Sequence, residues 1–323
     1  MQFRRTFLRA GVAAAASIAS MHSFGQDAKP ITIIVGFPPG GSPDFVARTL
    51  ADKLAQKLKR PVVVDNKVGA GGQLALAALM NAASDGSVYA LTPAAMMTTS
   101  QLLYSKLPYE VSKIEPVITA CKIEHGVVAG PATPAKTVAE LLAWMKANPT
   151  KAFYGIPAAG TSPHFVGMLL ARAAGVEAQA VLYRGGPPMV ADLLGGQIPA
   201  AVNVLGNFIE QHRAGKLRVL ATSGASRSPL LQDVPTISEM GFPQAQVEDW
   251  YGFMAKVGTP KAEMVAFAAA VREVVEIREV RAILLSSGHN PFVLGAEELA
   301  RDISISQKRW AEIIKTTGFK LES

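Results

Sequence analysis

The sequence predicts an α/β protein built from two βα lobes. Short β-branched runs alternate with stretches whose apolar residues recur every three or four positions, the pattern of parallel strands joined by crossover helices. The chain has 323 residues and is 49% hydrophobic, which is more than one hydrophobic core comfortably holds. No low-complexity linker interrupts the alternation. We therefore expect two or more chain segments to cross between the lobes.

The predicted first lobe starts with a short apolar, β-branched strand at residues 31–35. After it, Val46, Leu50 and Leu54 recur every four residues, which indicates a helix. The alternation continues with a strand at 61–64, a small-residue helix at 73–83 and a strand at 88–91. This order predicts a mostly parallel sheet with helices on both faces.

A second region of the same style follows Gly130. Its predicted elements are a helix at 138–147, a strand at 152–154, a helix at 165–174, a strand at 178–183, a helix at 189–194 and a strand at 200–204. Apolar residues at helical spacing resume after residue 260, and we expect these last helices to return to the first lobe. We therefore assign residues 26–126 and 251–323 to lobe 1 and residues 127–250 to lobe 2.

The first 25 residues have the composition of an export signal. Three arginines precede a small apolar run at 10–19, and Ser23-Phe24-Gly25 resembles a cleavage site. Arg4-Arg5-Thr6-Phe7-Leu8 resembles a twin-arginine motif, although general secretory signals also carry paired arginines. The run is shorter than the ~20 residues that a bilayer crossing needs, which argues against a membrane anchor. We therefore expect an exported protein of the periplasm.

The composition of the remaining chain argues against several classes of protein. Without residues 1–25, Lys+Arg falls from 32 to 29 against 25 acids, a net charge of +4. The basic residues are scattered, so we expect no nucleic-acid partner. The single cysteine, Cys121, has no partner for an internal disulfide, and five histidines far apart offer no metal-ligand spacing. The weak positive bias suits an anionic ligand.

Two loops of matching design carry the chemical prediction. The first is Pro38-Pro39-Gly40-Gly41-Ser42-Pro43-Asp44, and the second is Ala158-Ala159-Gly160-Thr161-Ser162-Pro163-His164. Each follows a strand and opens a helix, with serine as the expected N-cap and proline at the first helical position. Glycines allow backbone N–H groups to turn toward a ligand, and the helix dipole favours an anion. The pair predicts a carboxylate site between the lobes, whereas either loop alone is also compatible with an ordinary capped turn.

Neighbouring polar residues leave alternatives open. Asp44 is expected either to complement the dipole of its helix or to bridge the lobes, and the first is favoured. His164 is compatible equally with hydrogen bonding to the ligand and with packing beside its loop. Tyr183 and Arg184 follow a strand, at the end of the sheet where α/β proteins bind ligands.

Other motifs argue against a cofactor and against catalysis. Gly69-Ala70-Gly71-Gly72 lies between a strand and a helix, but Leu74 occupies the place of the last glycine of a dinucleotide loop. We therefore expect this loop to bind no nucleotide and to matter little for ligand binding. GxSxG, HExxH and GxxxxGK[ST] do not occur in the sequence. We expect no cofactor, no metal and no enzymatic activity.

The mature chain resembles the Bug-type solute-binding proteins of tripartite tricarboxylate transporters over essentially its whole length. The resemblance implies a type II periplasmic-binding fold, a ligand carboxylate held by the two matching loops, closure by a hinge, and delivery to a membrane permease of one large and one small subunit. The segments that carry it are Phe37-Pro38-Pro39-Gly40-Gly41-Ser42 with Asp44, Pro61-Val62-Val63-Val64 with Asn66, Gly69-Ala70-Gly71-Gly72, Leu107-Pro108-Tyr109, Tyr154-Gly155, Gly160 with His164, Tyr183-Arg184-Gly185, Asp192-Leu193-Leu194-Gly195-Gly196-Gln197, Ala214-Gly215-Lys216-Leu217-Arg218 and Asp233-Val234-Pro235-Thr236.

The sequence departs from that family where the ligand is expected. Pro93-Ala94-Ala95-Met96 stands where relatives commonly have Ser-Ser-Gly, and Ile156, Met168 and Asn203 stand where Ser, Glu and Asp are common. Each change removes a hydroxyl or a negative charge, which predicts a drier and less acidic pocket. We therefore expect an aromatic mono- or dicarboxylate, with Arg184 available to a second carboxylate. An aliphatic di- or tricarboxylate is the alternative.

Two other functions remain open on the sequence alone: a sensor subunit that presents ligand to a signalling partner, and a periplasmic enzyme on the same fold. We expect a monomer that binds a small carboxylate. The predicted ligand-binding residues are Phe37, Pro38, Gly40, Gly41, Ser42, Asp44, Ala94, Met96, Ile156, Ala158, Gly160, Thr161, Ser162, His164, Tyr183, Arg184 and Asn203.

Overall fold

Two β-sheets, each covered by helices, make up residues 29–319, the part of the chain that the computed structural model describes. The expected export signal at residues 1–25, with its twin-arginine motif, lies outside that part. None of the helices between residues 29 and 319 combines the length and apolar character needed to cross a membrane.

The strands of residues 29–319, in chain order, are β1 (Ile31–Val35), β2 (Val62–Asn66), β3 (Val88–Pro93), β4 (Ile114–Ile123), β5 (His125–Ala129), β6 (Phe153–Ile156), β7 (Gln179–Leu182), β8 (Ala200–Val204), β9 (Arg218–Thr222), β10 (Asp249–Lys256) and β11 (His289–Pro291). The helices are α1 (Ser42–Leu58), α2 (Gln73–Asn81), α3 (Ser100–Leu103), α4 (Val138–Ala147), α5 (Ser162–Ala173), α6 (Gly186–Leu194), α7 (Ile209–Arg213), α8 (Lys261–Glu276), α9 (Arg278–Ser286) and α10 (Ala296–Thr317).

The strand order confirms the predicted α/β class with two lobes. The first sheet runs β11-β4-β10-β3-β1-β2, and the second runs β7-β6-β8-β5-β9. Strands β2, β1 and β3 are parallel, while β10 is antiparallel to both β3 and β4. In the second sheet, β7, β6 and β8 are parallel and β5 runs antiparallel to β8 and β9.

The chain crosses between the sheets at two places that lie close together. Only Glu124 separates β4 of the first sheet from β5 of the second, and the chain returns to the first sheet in β10. The starts of β5 and β10 are therefore neighbours at the base of the space between the lobes. A hinge motion of the kind that the resemblance implies would turn about these two crossings.

Each lobe has a hydrophobic core of its own. In the first, Tyr89 stacks on Phe267 with ring centroids 3.8 Å apart, and Phe253 meets the same ring edge-on. In the second, Phe165 and Tyr154 lie among the buried side chains between helices and sheet. Strand β1 is buried almost throughout, as expected of a central parallel strand that has helices on both faces.

Helix α10 differs from the expectation that the last helices cover lobe 1 alone. Leu299 and Ile303, in its first half, join the core of the first lobe. Trp310 belongs to the core of the second lobe, and Ile314 and Phe319 pack against that core. Its 22 residues span roughly 33 Å at 1.5 Å per residue, which is enough to reach from one lobe to the other. Helical spacing predicted the apolar stripe but not that the stripe has two partners.

The Trp310 contact yields a stability prediction. The Trp310 ring lies 4.6 Å from that of Phe165 and is 6% exposed, whereas Ile305 on the same helix is 68% exposed. We expect Trp310→Ala to lower the free energy of unfolding by about 3–5 kcal/mol, and Ile305→Ala to change it by less than about 0.5 kcal/mol. Urea denaturation of both variants measures the difference. Equal effects would contradict the packing of α10 on the second lobe.

Candidate functional site

The facing ends of the two lobes meet in a narrow cleft. Thr99 Oγ1, from the first lobe, donates a hydrogen bond of 2.7 Å to the Gly160 carbonyl of the second. Ser162 Oγ, at the start of α5, donates a hydrogen bond of 2.8 Å to Asp249 Oδ2 at the start of β10. Both bonds join the lobes, since Asp249 lies in β10 of the first sheet, although the assignment from sequence placed residues 127–250 in lobe 2.

The first matching loop is supported from behind by Asp44. Gly40 has φ of +75°, a conformation that glycine adopts without strain, and its N–H donates to Asp44 Oδ2 at 2.9 Å. Arg48 and Asn66 donate to the same carboxylate, which is 2% exposed. Burial alone would raise the pKa of Asp44, but the bonds from Arg48, Asn66 and Gly40 together hold it below its ordinary value. Asp44 therefore holds its loop and does not line a cavity.

The second loop repeats this arrangement with a different acceptor. Gly160 has φ of +69°, and its N–H donates to His164 Nδ1 at 3.1 Å. The His164 ring meets Phe319 edge-on at 4.9 Å, and burial lowers the pKa of His164 to about 4. A neutral imidazole that accepts on Nδ1 carries its proton on Nε2. The structure therefore shows His164 supporting its loop and packing on Phe319, while its role toward a ligand stays a prediction.

The prediction that Ser42 and Ser162 are N-caps is wrong by one residue. Helices α1 and α5 begin at these serines, the caps are Gly41 and Thr161, and neither cap side chain bonds its helix. Proline therefore occupies the second helical position and not the first. The physical reason is that the serine hydroxyls have partners elsewhere in the cleft.

Those partners lie beneath the loops. Ser42 Oγ lies 2.7 Å from His289 Nε2 and accepts a hydrogen bond of 3.0 Å from the Tyr251 hydroxyl. Ser162 Oγ donates to Asp249. The first N–H groups of a helix have no acceptor within that helix, so α1 and α5 both direct backbone donors and positive potential toward the cleft.

An inner cavity of about 40 Å³ lies between the two loops. That volume holds about three waters, which is the size of a carboxylate with little else. Most of its wall is apolar, from Phe37, Pro43, Pro93, Ile123, Pro157 and Pro163. The polar lining residues are Ser42, His125, Thr161, Asn203, Asn207 and Asp249. Among the predicted site residues, those that line this cavity are Phe37, Gly41, Ser42, Thr161 and Asn203.

An outer cavity of about 470 Å³ adjoins the inner one. Phe37, Pro157 and Gly185 line both cavities. Four other predicted residues line the outer cavity: Pro38, Ala158, Tyr183 and Arg184. The Tyr183 hydroxyl already donates to Asp192 at 2.8 Å, whereas Arg184 is exposed at the edge.

The glycine loop at 69–72, which we expected to matter little for ligand binding, lies at the cleft. Its residues form one wall of the outer cavity, and a Cβ on Gly71 would lie 3.2 Å from the Ala158 Cβ of the opposite lobe. The reason is topological. Strand β2 is parallel to β1, so the loops that follow the two strands leave the carboxyl end of the same sheet. The loop forms part of the cleft without the last glycine of a nucleotide-binding loop.

The remaining predicted residues lie away from the two cavities. Met96 and Ile156 are buried in the cores of their lobes. Gly40 is exposed at the loop tip, and the Gly160 carbonyl is bonded to Thr99. Ala94 and Ser162 line a hinge-side cavity of about 590 Å³, together with Asp249.

Sequence reasoning missed two buried polar residues of the inner cavity, His125 and Asp249. They are 1% and 5% exposed, and His125 Nε2 lies 3.9 Å from Asp249 Oδ2. Burial lowers the pKa of His125 to about 3. Burial also raises the pKa of Asp249 to about 6, against the hydrogen bonds from Ser162, Trp250 and Ala94. The signal available in the sequence was a polar residue at the start of a largely apolar strand, His125 in β5 and Asp249 in β10.

Comparison with known proteins identifies relatives along the whole fold. A family model described as a tripartite tricarboxylate transporter family receptor matches residues 46–319. Protein BugT of Bordetella pertussis is 31% identical over 313 residues, covering 96% of each chain. Rpa4515 of R. palustris with adipate has a TM-score of 0.86 at 27% identity, covering 91% of this chain and 99% of that one. MatC of Rhodopseudomonas palustris with bound malate has a TM-score of 0.82 at 26% identity, covering 88% and 98%.

The support that Asp44 gives to the first loop can be tested by measuring the free energy of unfolding of a variant. We expect Asp44→Asn to lower the free energy of unfolding by about 1.5–3 kcal/mol at pH 7, because bonds to a buried charge are lost. The folded-state pKa of Asp44 is depressed, so the wild type loses this contribution as pH falls below about 4, and the difference shrinks by pH 3. Urea denaturation at both pH values measures it.

The matched control is Asp65→Asn, which removes a carboxylate paired with Lys67 at the surface. It should change stability by less than about 0.5 kcal/mol at either pH. A loss in Asp44→Asn that is no larger than the loss in Asp65→Asn, or that is undiminished at pH 3, contradicts the role of Asp44.

Proposed function

The chain belongs to the receptors of the tripartite tricarboxylate transporter family, and on that premise we propose that it captures a small carboxylate in its cleft. The observation that carries the proposal is the convergence of two helix N-termini on one cavity. Gly41 and Ser42 approach it from the first lobe, and Thr161 from the second. Within residues 29–319, the inner cavity is lined by no Lys or Arg, so backbone donors and helix dipoles supply the attraction for an anion.

Two relatives support a carboxylate as the ligand class. Rpa4515 is a complex with adipate, and MatC is a complex with malate. Both ligands are carboxylates, which agrees with a cavity of carboxylate size between the loops. We propose that the protein is exported to the periplasm and delivers its ligand to a permease of one large and one small subunit.

The walls favour an acid with a flat apolar body. Phe37 and Pro157 line the junction of the inner and outer cavities, and burial of an apolar ring against them is favourable by about 25 cal/mol per Å². The inner cavity has room for the carboxylate alone, so the ring would lie at the junction beside Phe37, Pro157 and Gly185. We therefore propose an aromatic mono- or dicarboxylate, with a second carboxylate directed to Arg184 in the outer cavity.

The class of ligand can be tested by thermal shift. We expect benzoate and the phthalate isomers to raise Tm, and adipate, malate and citrate to raise it less. A ligand at a hundred times its Kd adds about 2.7 kcal/mol, which corresponds to a shift of roughly 5 °C in a chain of this size. Stabilisation by the aliphatic acids without stabilisation by the aromatic acids contradicts the aromatic proposal and leaves the carboxylate class intact.

The role of Arg184 can be tested by comparing mono- and dicarboxylates. We expect Arg184→Ala to weaken the binding of the preferred phthalate isomer about three- to tenfold, since an exposed charge contributes modestly, and to leave benzoate binding unchanged. Arg227→Ala is the control, because Arg227 is paired with Glu239 at the surface outside both cavities. Calorimetric titration gives the affinities, and an equal loss for both acids contradicts a contact with the second carboxylate.

A further inference from the structure

A group of buried polar side chains at the inner end of the cleft has no role in the proposed function. His125 begins β5 and Asp249 begins β10, at the two crossings between the lobes. Ser162 and Asn203 complete the group, and all four are at most 5% exposed. Polar groups are expensive to bury in an apolar surrounding, so the cluster calls for a physical explanation.

Hydrogen bonding in the cluster is uneven. Asp249 accepts bonds from Ser162 Oγ and from the Trp250 N–H, each at 2.8 Å. Within residues 29–319, by contrast, neither ring nitrogen of His125 has a partner, and neither does Asn203 Nδ2. Unpaired buried groups of this kind are rare in folded proteins. The unpaired groups belong to residues that line the inner cavity, which is where the ligand carboxylate is proposed to bind.

The charges conflict when a carboxylate enters this cavity. Donors surround Asp249, an arrangement that suits an ionised carboxylate, and neutral His125 does not compensate its charge. Two like charges in a desolvated site repel strongly. One proton removes the conflict, because protonated Asp249 is neutral and its hydroxyl has a ready acceptor in His125 Nε2, which lies 3.9 Å away and has no other partner within residues 29–319. In a coupled pair, the proton belongs to the pair as a whole.

We propose that His125 and Asp249 form a proton-accepting pair at the inner end of the cleft, and that capture of a ligand carboxylate is accompanied by uptake of one proton from solvent. This inference rests on the proposed carboxylate function and adds to it a coupling between binding and pH. It also assigns His125 and Asp249 as ligand-binding residues, alongside the two loops.

The other titratable groups around the pair do not take up this proton. Burial lowers the pKa of His289 and of His164 to about 4, and burial raises the pKa of the Tyr251 hydroxyl and of the Cys121 thiol far above neutrality. All four groups therefore keep their protonation state between pH 6 and pH 8.

The remaining charged neighbours face away from the inner cavity. Asp302 accepts from Trp250 Nε1 on the hinge side, and its negative charge raises the pKa of Asp249. Glu248 pairs with Lys122 at the surface. Burial raises the pKa of Glu124, against a hydrogen bond from Ser228, and Glu124 does not line the cavity.

The direction in which ligand affinity changes with pH follows from the titration of the His125–Asp249 pair without ligand. Without ligand, the pair gains its proton near pH 6, where Asp249 titrates, and a bound carboxylate shifts that pKa upward. Below about pH 6 the pair is already protonated, so the affinity is constant. Above that pH the affinity falls, by at most tenfold per pH unit for one proton.

Calorimetric titration of the whole protein with benzoate and with adipate tests the proposal. Titration at pH 7.5 in buffers of different ionisation enthalpy should report close to one proton taken up per ligand. The affinity at pH 7.5 should be five- to tenfold weaker than at pH 6.5, as one-proton linkage requires. The wild-type measurements do not depend on any variant folding.

Asp249→Asn supplies the matched variant, because its amide resembles the protonated acid. Its proton uptake should vanish, its affinity should become equal at the two pH values, and at pH 7.5 it should bind at least as tightly as the wild type. Asp302→Asn removes a nearby carboxylate that does not line the inner cavity, and it should retain proton uptake.

The outcomes separate the two proposals. Carboxylate binding without proton uptake and with equal affinity at both pH values overturns the proton-accepting pair and leaves the proposed function standing. Proton uptake that persists in Asp249→Asn also overturns the pair. Tighter binding of γ-aminobutyrate than of benzoate or adipate, abolished in Asp249→Asn, would assign the cluster to a cation instead. Failure of every carboxylate to bind at either pH overturns the proposed function, and the pair with it.

Discussion

The hydrogen bond from a glycine amide to a side chain four residues later determines the shape of both loops at the cleft. Gly40 bonds Asp44, and Gly160 bonds His164. Each glycine has a positive φ, and each acceptor is fixed by further contacts behind the loop. The bond turns the start of the following helix toward the opposite lobe. Both helix N-termini then line one cavity, where we propose that an anion binds.

The chemistry of the cleft follows from what surrounds those helix starts. No cationic side chain lines the inner cavity within residues 29–319, so attraction for an anion depends on oriented backbone dipoles in a dry site. Such a site is sensitive to any uncompensated charge. Asp249, at the start of β10, is the one carboxylate among the residues of 29–319 that line the inner cavity. The crossing of the chain from the second sheet to β10 places it there.

Local patterns were sufficient for the fold class and for many of the residues that line the two cavities. The matching Ser-Pro loops, the strand–helix alternation and the resemblance of ordered motifs predicted two lobes and a cleft between them. The prediction of the caps was wrong by one residue because the Ser42 and Ser162 hydroxyls bond residues on distant strands. The loop at 69–72 was judged by its departure from a nucleotide motif, while its position follows from the pairing of β2 with β1.

Three properties could be predicted from the amino-acid sequence: the βα alternation, the glycines that permit a positive φ, and the loops that begin two helices with free backbone donors. These properties depend on residues a few positions apart, and local sterics and hydrogen bonding dictate them. The packing of α10 on both lobes and the approach of His125 to Asp249 depend instead on the three-dimensional fold. Those residues are far apart along the chain, and they become neighbours only because both crossings between the sheets pass through one hinge. The free energy of such contacts depends on the whole fold, which no local pattern encodes.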